Sequence, residues 1–329
     1  MSAPLRIVWV SFAPLERSAG KTSSGVASVR YRLLLPSAAL HAEGADSKVF
    51  AFAAGTLLER CRGASAVVLG KLLARDVARE ARDALALVAQ LRAARVAVLA
   101  DFSDDHFADP ARGEAYRALA NAVDAVVAST PELADVLRQQ TRVPVSVVTD
   151  PVEGERGEPR VPARPPFRLL WFGHGTNVDT LQPAMQQLHG LPVALTLVTA
   201  PGAGAEQMGA RFRPWSIRAV FDELRQCDAV FIPSNPQDPR KAVKSPNRFT
   251  ESVWAGRFVL AHPLPAYREL AECGWVGDDL GAGVKWLAAH ADQALARIHR
   301  GQEVIGARFS SRAVGAAWKL AIEQALRPT

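Results

Sequence analysis

The run Lys244-Ser245-Pro246-Asn247-Arg248-Phe249-Thr250-Glu251, followed by Gly256, holds the densest chemistry in the chain. Ser245 is a residue type that caps helix N-termini and Pro246 suits the first helical position, so the spacing predicts a helix that starts here and stops before Gly256. A helix N-terminus presents backbone N–H groups without intrahelical acceptors and a partial positive charge. Lys244 and Arg248 add full charges beside it, which makes a site for a diphosphate. Asn247 and Glu251 stand four residues apart on one face, so a carboxylate lies a turn beyond the phosphates, where it can accept hydrogen bonds from both hydroxyls of a ribose. Phosphate followed by ribose is the layout of a nucleotide. The competing reading is a capped surface helix with a basic first turn. Basic residues there oppose the macrodipole, and a nearby anion would account for them.

Three other stretches carry usable groups. Gly173-His174-Gly175-Thr176-Asn177 follows an apolar run ending at Phe172; its glycines let backbone approach a ligand, His174 can offer a hydrogen bond, and Thr176 or Asn177 can cap the helix that follows. A plain strand-turn-helix connection explains the same residues. Ser18 to Gly25 is a loop with Gly20 and Gly25 as hinges around Lys21, ahead of a helix containing Arg30 and Arg32; a mobile surface loop is the alternative. Gly20-Lys21-Thr22 also looks like the end of a P-loop, with Asp101 as its magnesium-linked aspartate, but that loop needs a glycine five positions before Gly20, where Leu15 stands. Asp101, Asp105 and His106, after the apolar run Val96 to Ala100, are candidates to take a proton from a hydroxyl. A solvated acidic turn would look the same. No Asp-x-Asp pair or metal-ligand spacing is present, and no metal is expected.

The elements that must position these groups are legible as alternation. Short runs rich in Val, Ile, Leu and Phe exchange with longer Ala- and Leu-rich stretches of helical period, the pattern of parallel sheets covered by helices. Strands are expected at Ile7 to Phe12, Ser47 to Phe52, Val96 to Ala100, Ala125 to Ala128 and Val145 to Val148. A second set is expected at Arg168 to Phe172, Val193 to Val198, Ala229 to Ile232 and Phe258 to Ala261. Ala74 to Ala94 is expected as a long helix with one apolar face. Pro151 to Pro166 holds five prolines and two glycines with no apolar period, which marks a linker. The division is therefore an α/β domain over 1–155, a linker over 156–166, an α/β domain over 167–309 and a terminal helix, 310–329, carrying Trp318 and packing back on the first domain.

Glu251-x-x-x-x-Gly256, the strand after it and the turn His262-Pro263-Leu264-Pro265-Ala266-Tyr267-Arg268-Glu269-Leu270 resemble the glycosyltransferases of GT-B architecture, particularly bacterial enzymes similar to family four. Asp124 to Leu133 and Val148 to Val152 resemble that family's first domain, with Thr130 as a helix cap, so the likeness extends from about residue 7 to about residue 270. The resemblance implies two Rossmann-like domains facing each other across a cleft, acceptor side first and nucleotide-sugar side second. It implies Glu251 on the donor ribose, and Lys244, Ser245, Asn247 and Arg248 around the diphosphate. Gly173, His174, Gly175 and Thr176 fall near donor phosphate or sugar; Gly20, Lys21, Gly25, Arg30 and Arg32 fall on the cleft side. One departure stands out: the family places a glutamate eight positions before Glu251, against the sugar, and this chain has Val243.

The implied activity is metal-independent transfer of a sugar from a nucleoside-diphosphate sugar to a hydroxyl of a glycan, lipid-linked or small-molecule acceptor, in surface polysaccharide or glycolipid synthesis. No cofactor beyond the donor is expected. Competing expectations are a non-catalytic GT-B scaffold, suggested by Val243, a nucleotide-sugar epimerase and a P-loop-like NTPase.

Bulk properties narrow the field. The 329 residues suit two domains, and 49% hydrophobic with 22% charged residues is an ordinary globular composition. The apolar runs fall short of the roughly 20 residues that cross a bilayer, and the N-terminus lacks a signal-peptide pattern, so a cytoplasmic address is expected, with peripheral contact at the inner membrane face. The net charge of +6 suits phosphates or anionic headgroups. No basic-aromatic platform or helix-turn-helix points to nucleic acid. Cys61, Cys227 and Cys273 are odd in number and widely spaced, and are expected to be buried and inert.

Overall fold

The structure is a computed structural model and describes residues 5–18, 20–53, 56–161 and 164–327. It comprises two compact units. The first contains the described residues up to Pro151, the tripeptide Val243–Ser245 and the residues from Phe309 onward; the second contains Val152–Ala242 and Pro246–Arg308.

Strands of the first unit are β1 (Arg6–Ser11), β2 (Glu16–Ser18), β3 (Lys21–Ser23), β4 (Asp46–Ala51), β5 (Ala66–Leu69), β6 (Ala97–Phe102), β7 (Ala125–Ala128) and β8 (Val145–Val147). Six of them form one parallel sheet in the order β4-β1-β5-β6-β7-β8. Helices cover both faces, so side chains alternate between two cores: Val8 and Val10 enter one, Ile7 and Trp9 the other. The second core is closed by the terminal helix Ser311–Ala325, whose Trp318 meets Trp9 edge-on at 4.9 Å. β2 and β3 lie outside the sheet as an antiparallel hairpin, with Gly20 at φ +77°. The stretch expected as a hinged loop is this hairpin; its Ala19 lies outside the described residues.

The expected long helix runs Val77–Ala93, later than its apolar period begins. Asp76 accepts from the amide of Arg79, and Glu80 accepts from the amides of Leu73 and Ala74, which holds that segment out of the helix. The helical segment after the hairpin is not uniform: Ala27–Val29 is α-helical, Arg30–Leu34 is a π-helical turn, and Leu35–Ala42 resumes the α-helix.

Strands of the second unit are β9 (Phe167–Phe172), β10 (Val193–Thr199), β11 (Arg211–Pro214), β12 (Ala229–Ile232), β13 (Phe258–Ala261) and β14 (Trp275–Val276). All pairs are parallel, in the order β11-β10-β9-β12-β13-β14. The chain winds outward from β9 in both directions, so the order reverses between β9 and β12. In such sheets that reversal opens a crevice at the carboxyl ends of the strands, where ligands bind.

Much of the proline-rich stretch expected as a linker is packed against the second unit. The Gly157 amide donates to Trp254 at 2.9 Å, the Arg160 amide donates to Gly256 at 3.2 Å, and the Trp254 indole reaches the Gly154 carbonyl at 3.3 Å. Pro162 and Ala163 of that stretch lie outside the described residues. All three cysteines are free and buried; burial pushes the Cys61 and Cys273 thiols up to about 11 and the Cys227 thiol up to about 12.

Candidate functional site

At the reversal of the second sheet, β9 ends at Phe172 and the chain turns through Gly173 and His174 into the short 3-10 helix Gly175–Thr180. His174 supplies the cap that Thr176 or Asn177 was expected to supply: its Nδ1 accepts from the Thr176 amide at 3.3 Å. Thr180 ties this exit to the exit of β12, donating to the carbonyls of Asn177 (2.8 Å) and Pro233 (3.4 Å).

Two cations enter this corner. Arg248, in the first turn of the helix Asn247–Trp254, reaches the Phe172 carbonyl with Nη1 at 3.5 Å and lies over Gly173, where a Cβ would stand 3.5 Å from the guanidinium. Lys241, from the turn Pro239–Ala242, donates to the Asn177 side-chain oxygen. Burial lowers the pKa of the Lys241 ammonium, and the Arg248 charge lowers it further. Mutual proximity of two cations at a helix N-terminus and a glycine-bearing strand exit builds a positive field, and a diphosphate relieves it. Glu251 lies one turn along the same helix and is 6% exposed.

The helix begins at Asn247 with Pro246 in the cap position and no side-chain cap, so the cap expected at Ser245 and the first helical residue expected at Pro246 each fall one residue early. Pro246, with ψ at 23°, occupies the place that Ser245 would need. Val243, Lys244 and Ser245 belong to the first unit. Val243 is buried in its core, the Thr130 hydroxyl donates to the Val243 carbonyl at 2.9 Å, and Lys244 pairs with Asp104. Thr130 also caps the helix Pro131–Gln140, accepting from the Leu133 amide at 3.2 Å.

In the first unit the acidic turn divides into groups with different fates. β6 runs two residues past Ala100, which puts Asp101 inside the sheet rather than on a turn. Asp101 is 3% exposed and Arg32 1%. Arg32 donates to Asp101 Oδ1 from Nε (3.0 Å) and Nη2 (2.7 Å), and from Nη1 to the Val148 carbonyl (2.5 Å) and Asp150 Oδ1 (2.9 Å). Burial opposes the guanidinium charge, and Asp101 and Asp150 more than offset it, raising the Arg32 pKa. Asp101 as a proton acceptor and Arg32 as a cleft cation are therefore corrected: each is committed to the other inside the core. Arg30 is likewise turned inward, donating to the carbonyls of Gly25 (3.1 Å) and Ser24 (3.4 Å). Lys21 and Gly20 stay exposed on the hairpin, so Gly20-Lys21-Thr22 forms no phosphate cradle at a helix start.

Asp105 Oδ1 accepts from the Phe107 amide at 3.0 Å. The His106 ring stands edge-on to Tyr116 at 5.1 Å, and its Nε2 is buried with no hydrogen-bond partner among the described residues. Burial, with Lys71 and Arg112 nearby, pushes its pKa down to about 4. Asp104, which the sequence did not single out, is the carboxylate in use: Lys71 takes one of its oxygens and Lys244 the other. Lys241 and His262 were missed as well. His262 follows β13, with Nδ1 3.0 Å from the Ser234 amide and Nε2 buried and unpartnered among the described residues. Polar residues just past strands β5, β12 and β13 are the available signal for Lys71, Ser234 and His262; Lys241 offers none, because its partner Asn177 is 64 residues away.

No protein-family model matches the chain, and no curated protein matches it. Solved structures do. An α-glucosyltransferase in complex with UDP-glucose and DNA containing an abasic site superposes with a TM-score of 0.71 over 99% of this chain and 100% of that one, at 7% identity. Anabaena Alr3699/HepE in complex with UDP gives 0.67 over 97% and 100%, at 12% identity. AviGT4, a glycosyltransferase involved in Avilamycin A biosynthesis, gives 0.61 over 98% of each chain, at 12% identity. The shared property is the fold: two parallel six-stranded α/β units of the GT-B kind, as the sequence leads one to expect.

Proposed function

We propose that the chain is a glycosyltransferase that moves a sugar from a nucleoside-diphosphate sugar to a hydroxyl acceptor. The convergence of Lys241 and Arg248 on the exit of β9, with Glu251 a turn beyond, carries this reading. The diphosphate sits against those cations and the amides of Gly173–Thr176; Asn247 and His174 border it, and Glu251 takes the ribose hydroxyls. As the bond from the sugar's anomeric carbon to the phosphate oxygen breaks, negative charge grows on the leaving diphosphate, and the fixed cations stabilise it there. They replace a divalent ion, so transfer is metal-independent. On the acceptor side, Asp105 and His106 are the groups left to receive the hydroxyl proton.

UDP or UDP-glucose in the matched α-glucosyltransferase and HepE structures supports the donor class. The acceptor is a glycan or glycolipid of surface polysaccharide type, approached peripherally at the membrane through the basic excess. Among the described residues no helix is long and apolar enough to cross a membrane.

A thermal-shift screen against UDP, GDP, CDP, ADP and dTDP tests the donor site. One nucleotide is expected to stabilise the protein by about 2.7 kcal/mol at a concentration of 100 Kd, and Arg248→Ala, Lys241→Met and Glu251→Ala are each expected to remove most of that gain. Stabilisation by none of the five, or gains untouched by all three substitutions, overturns the reading. Sugar release or transfer from the matching donor is expected to persist in EDTA. Binding without turnover across an acceptor panel would favour the non-catalytic scaffold.

A further inference from the structure

A second cluster of charge, in the first unit, is not used by the donor reading. Gly70 and Lys71 follow β5, and Ser103 and Asp104 follow β6, both at carboxyl ends of neighbouring strands. The order β4-β1-β5-β6 reverses between β1 and β5, so this edge borders the first sheet's own crevice. Here one carboxylate is shared by two ammonium groups: Asp104 Oδ2 with Lys71 and Oδ1 with Lys244. The Lys71 side chain is only 17% exposed. Arg112 is close enough for its charge to act on both Lys71 and Tyr116. Burial and Arg112 hold the Lys71 ammonium down to about 8 although Asp101 pulls the other way, and the same cations hold His106 low.

Withdrawing Lys71 from water onto Asp104, while Lys244 stays 44% exposed on the other oxygen, is costly unless the arrangement serves a ligand, because a largely buried ion pair is often no more stable than an apolar replacement. Each ammonium carries three donors. The two oxygens of Asp104 present to Lys71 and Lys244 what two oxygens of a phosphate would present. We infer that Lys71, Arg112 and Lys244 form an anion site for the phosphate-type group of an acceptor, with Asp104 as an internal counter-anion that competes with it. Calling the ligand an acceptor rests on the glycosyltransferase reading; the anion site itself does not.

Inorganic phosphate, titrated at constant ionic strength and followed by calorimetry on the full chain, is the first probe. Lys71→Met and Arg112→Ala are expected to weaken phosphate about ten-fold each, the worth of one charge-assisted hydrogen bond. Asp104→Asn is expected to tighten it by about the same factor, since the competitor is neutralised while shape is kept. A purely structural Asp104 would give the opposite sign, with phosphate unchanged or weaker. Arg248→Ala is expected to leave phosphate affinity unchanged while abolishing nucleotide binding, so failure of the donor site and failure of this site read out separately. If phosphate is lost in Arg248→Ala and kept in Lys71→Met, the anion belongs to the donor site and the inference is overturned. Glucose 6-phosphate and phosphatidylglycerol–phosphatidylcholine vesicles separate the sources. Sensitivity of either to Lys71→Met supports the site and names a soluble or a headgroup phosphate; sensitivity of neither overturns it.

Discussion

Arg32 and Asp101 are locked together in the interior of the first unit, Nε 3.0 Å and Nη2 2.7 Å from the same carboxylate oxygen, 69 residues apart in sequence. The pair lies where a π-helical turn meets the end of β6, and Trp318 of the terminal helix covers the guanidinium at 5.3 Å. Removing the cation leaves Asp101 and Asp150 buried without it. Arg32→Met is therefore expected to cost about 3–5 kcal/mol, read as a lowered urea midpoint. Nucleotide binding by the fraction that remains folded should be unaltered; selective loss of nucleotide binding at full stability would show instead that Arg32 serves a ligand.

His106 gives the fold an acid-sensitive point. In the unfolded chain an imidazole takes up its proton near pH 6.5, whereas in the folded chain burial and the nearby cations delay that to about 4. Between those values the unfolded state binds more protons, so stability is full above about pH 6.5 and falls as pH drops toward about 4. Urea midpoints measured across that range should decline in the native protein. The decline should be smaller in His106→Gln, and equal slopes in the two proteins would show that the ring titrates normally.

Gly256 occupies a left-handed conformation, φ +76°, and a Cβ there would stand 2.3 Å from the Glu158 carbonyl oxygen. Both the backbone angle and the contact oppose any side chain. Gly256→Ala is expected to destabilise the second unit by about 1–3 kcal/mol or more, and a melting temperature within a degree of the parent would contradict the packing of residues 154–160 described above.

The three thiols should be silent in the native state. With Cys61 and Cys273 pushed up to about 11 and Cys227 to about 12, thiolate is scarce at neutral pH and access is closed. Labelling with a chromogenic disulfide reagent should become rapid only on adding denaturant; prompt reaction of a thiol in buffer would place it at the surface.

Sequence made the sheets readable because parallel strands buried on both faces are bare apolar runs. Ala125–Ala128 and Phe258–Ala261 stand in the structure with the bounds their composition marks out. Three strands of the parallel sheets escaped. β14 has only two residues, Arg211–Pro214 is an edge strand whose arginines look like surface until Glu223 is seen to hold both, and Ala66–Leu69 is as long and as buried as the strands that were read. In the candidate site the helix bearing Arg248 and Glu251 announced itself by spacing and resemblance. The choice among Asp101, Asp104 and Asp105 did not, since it turns on where β6 ends. Two more residues of strand bury the first, aim the second at Lys71 and Lys244, and leave the third to cap its own turn.

The contact between Trp9 and Trp318 also orders events during synthesis. At about 5–20 residues per second, the ribosome needs roughly 15–60 s between these two indoles, and the entire second unit is made in that interval. The β1 face that Trp318 covers thus stays open to chaperones and to neighbouring nascent chains until the helix Ser311–Ala325 emerges.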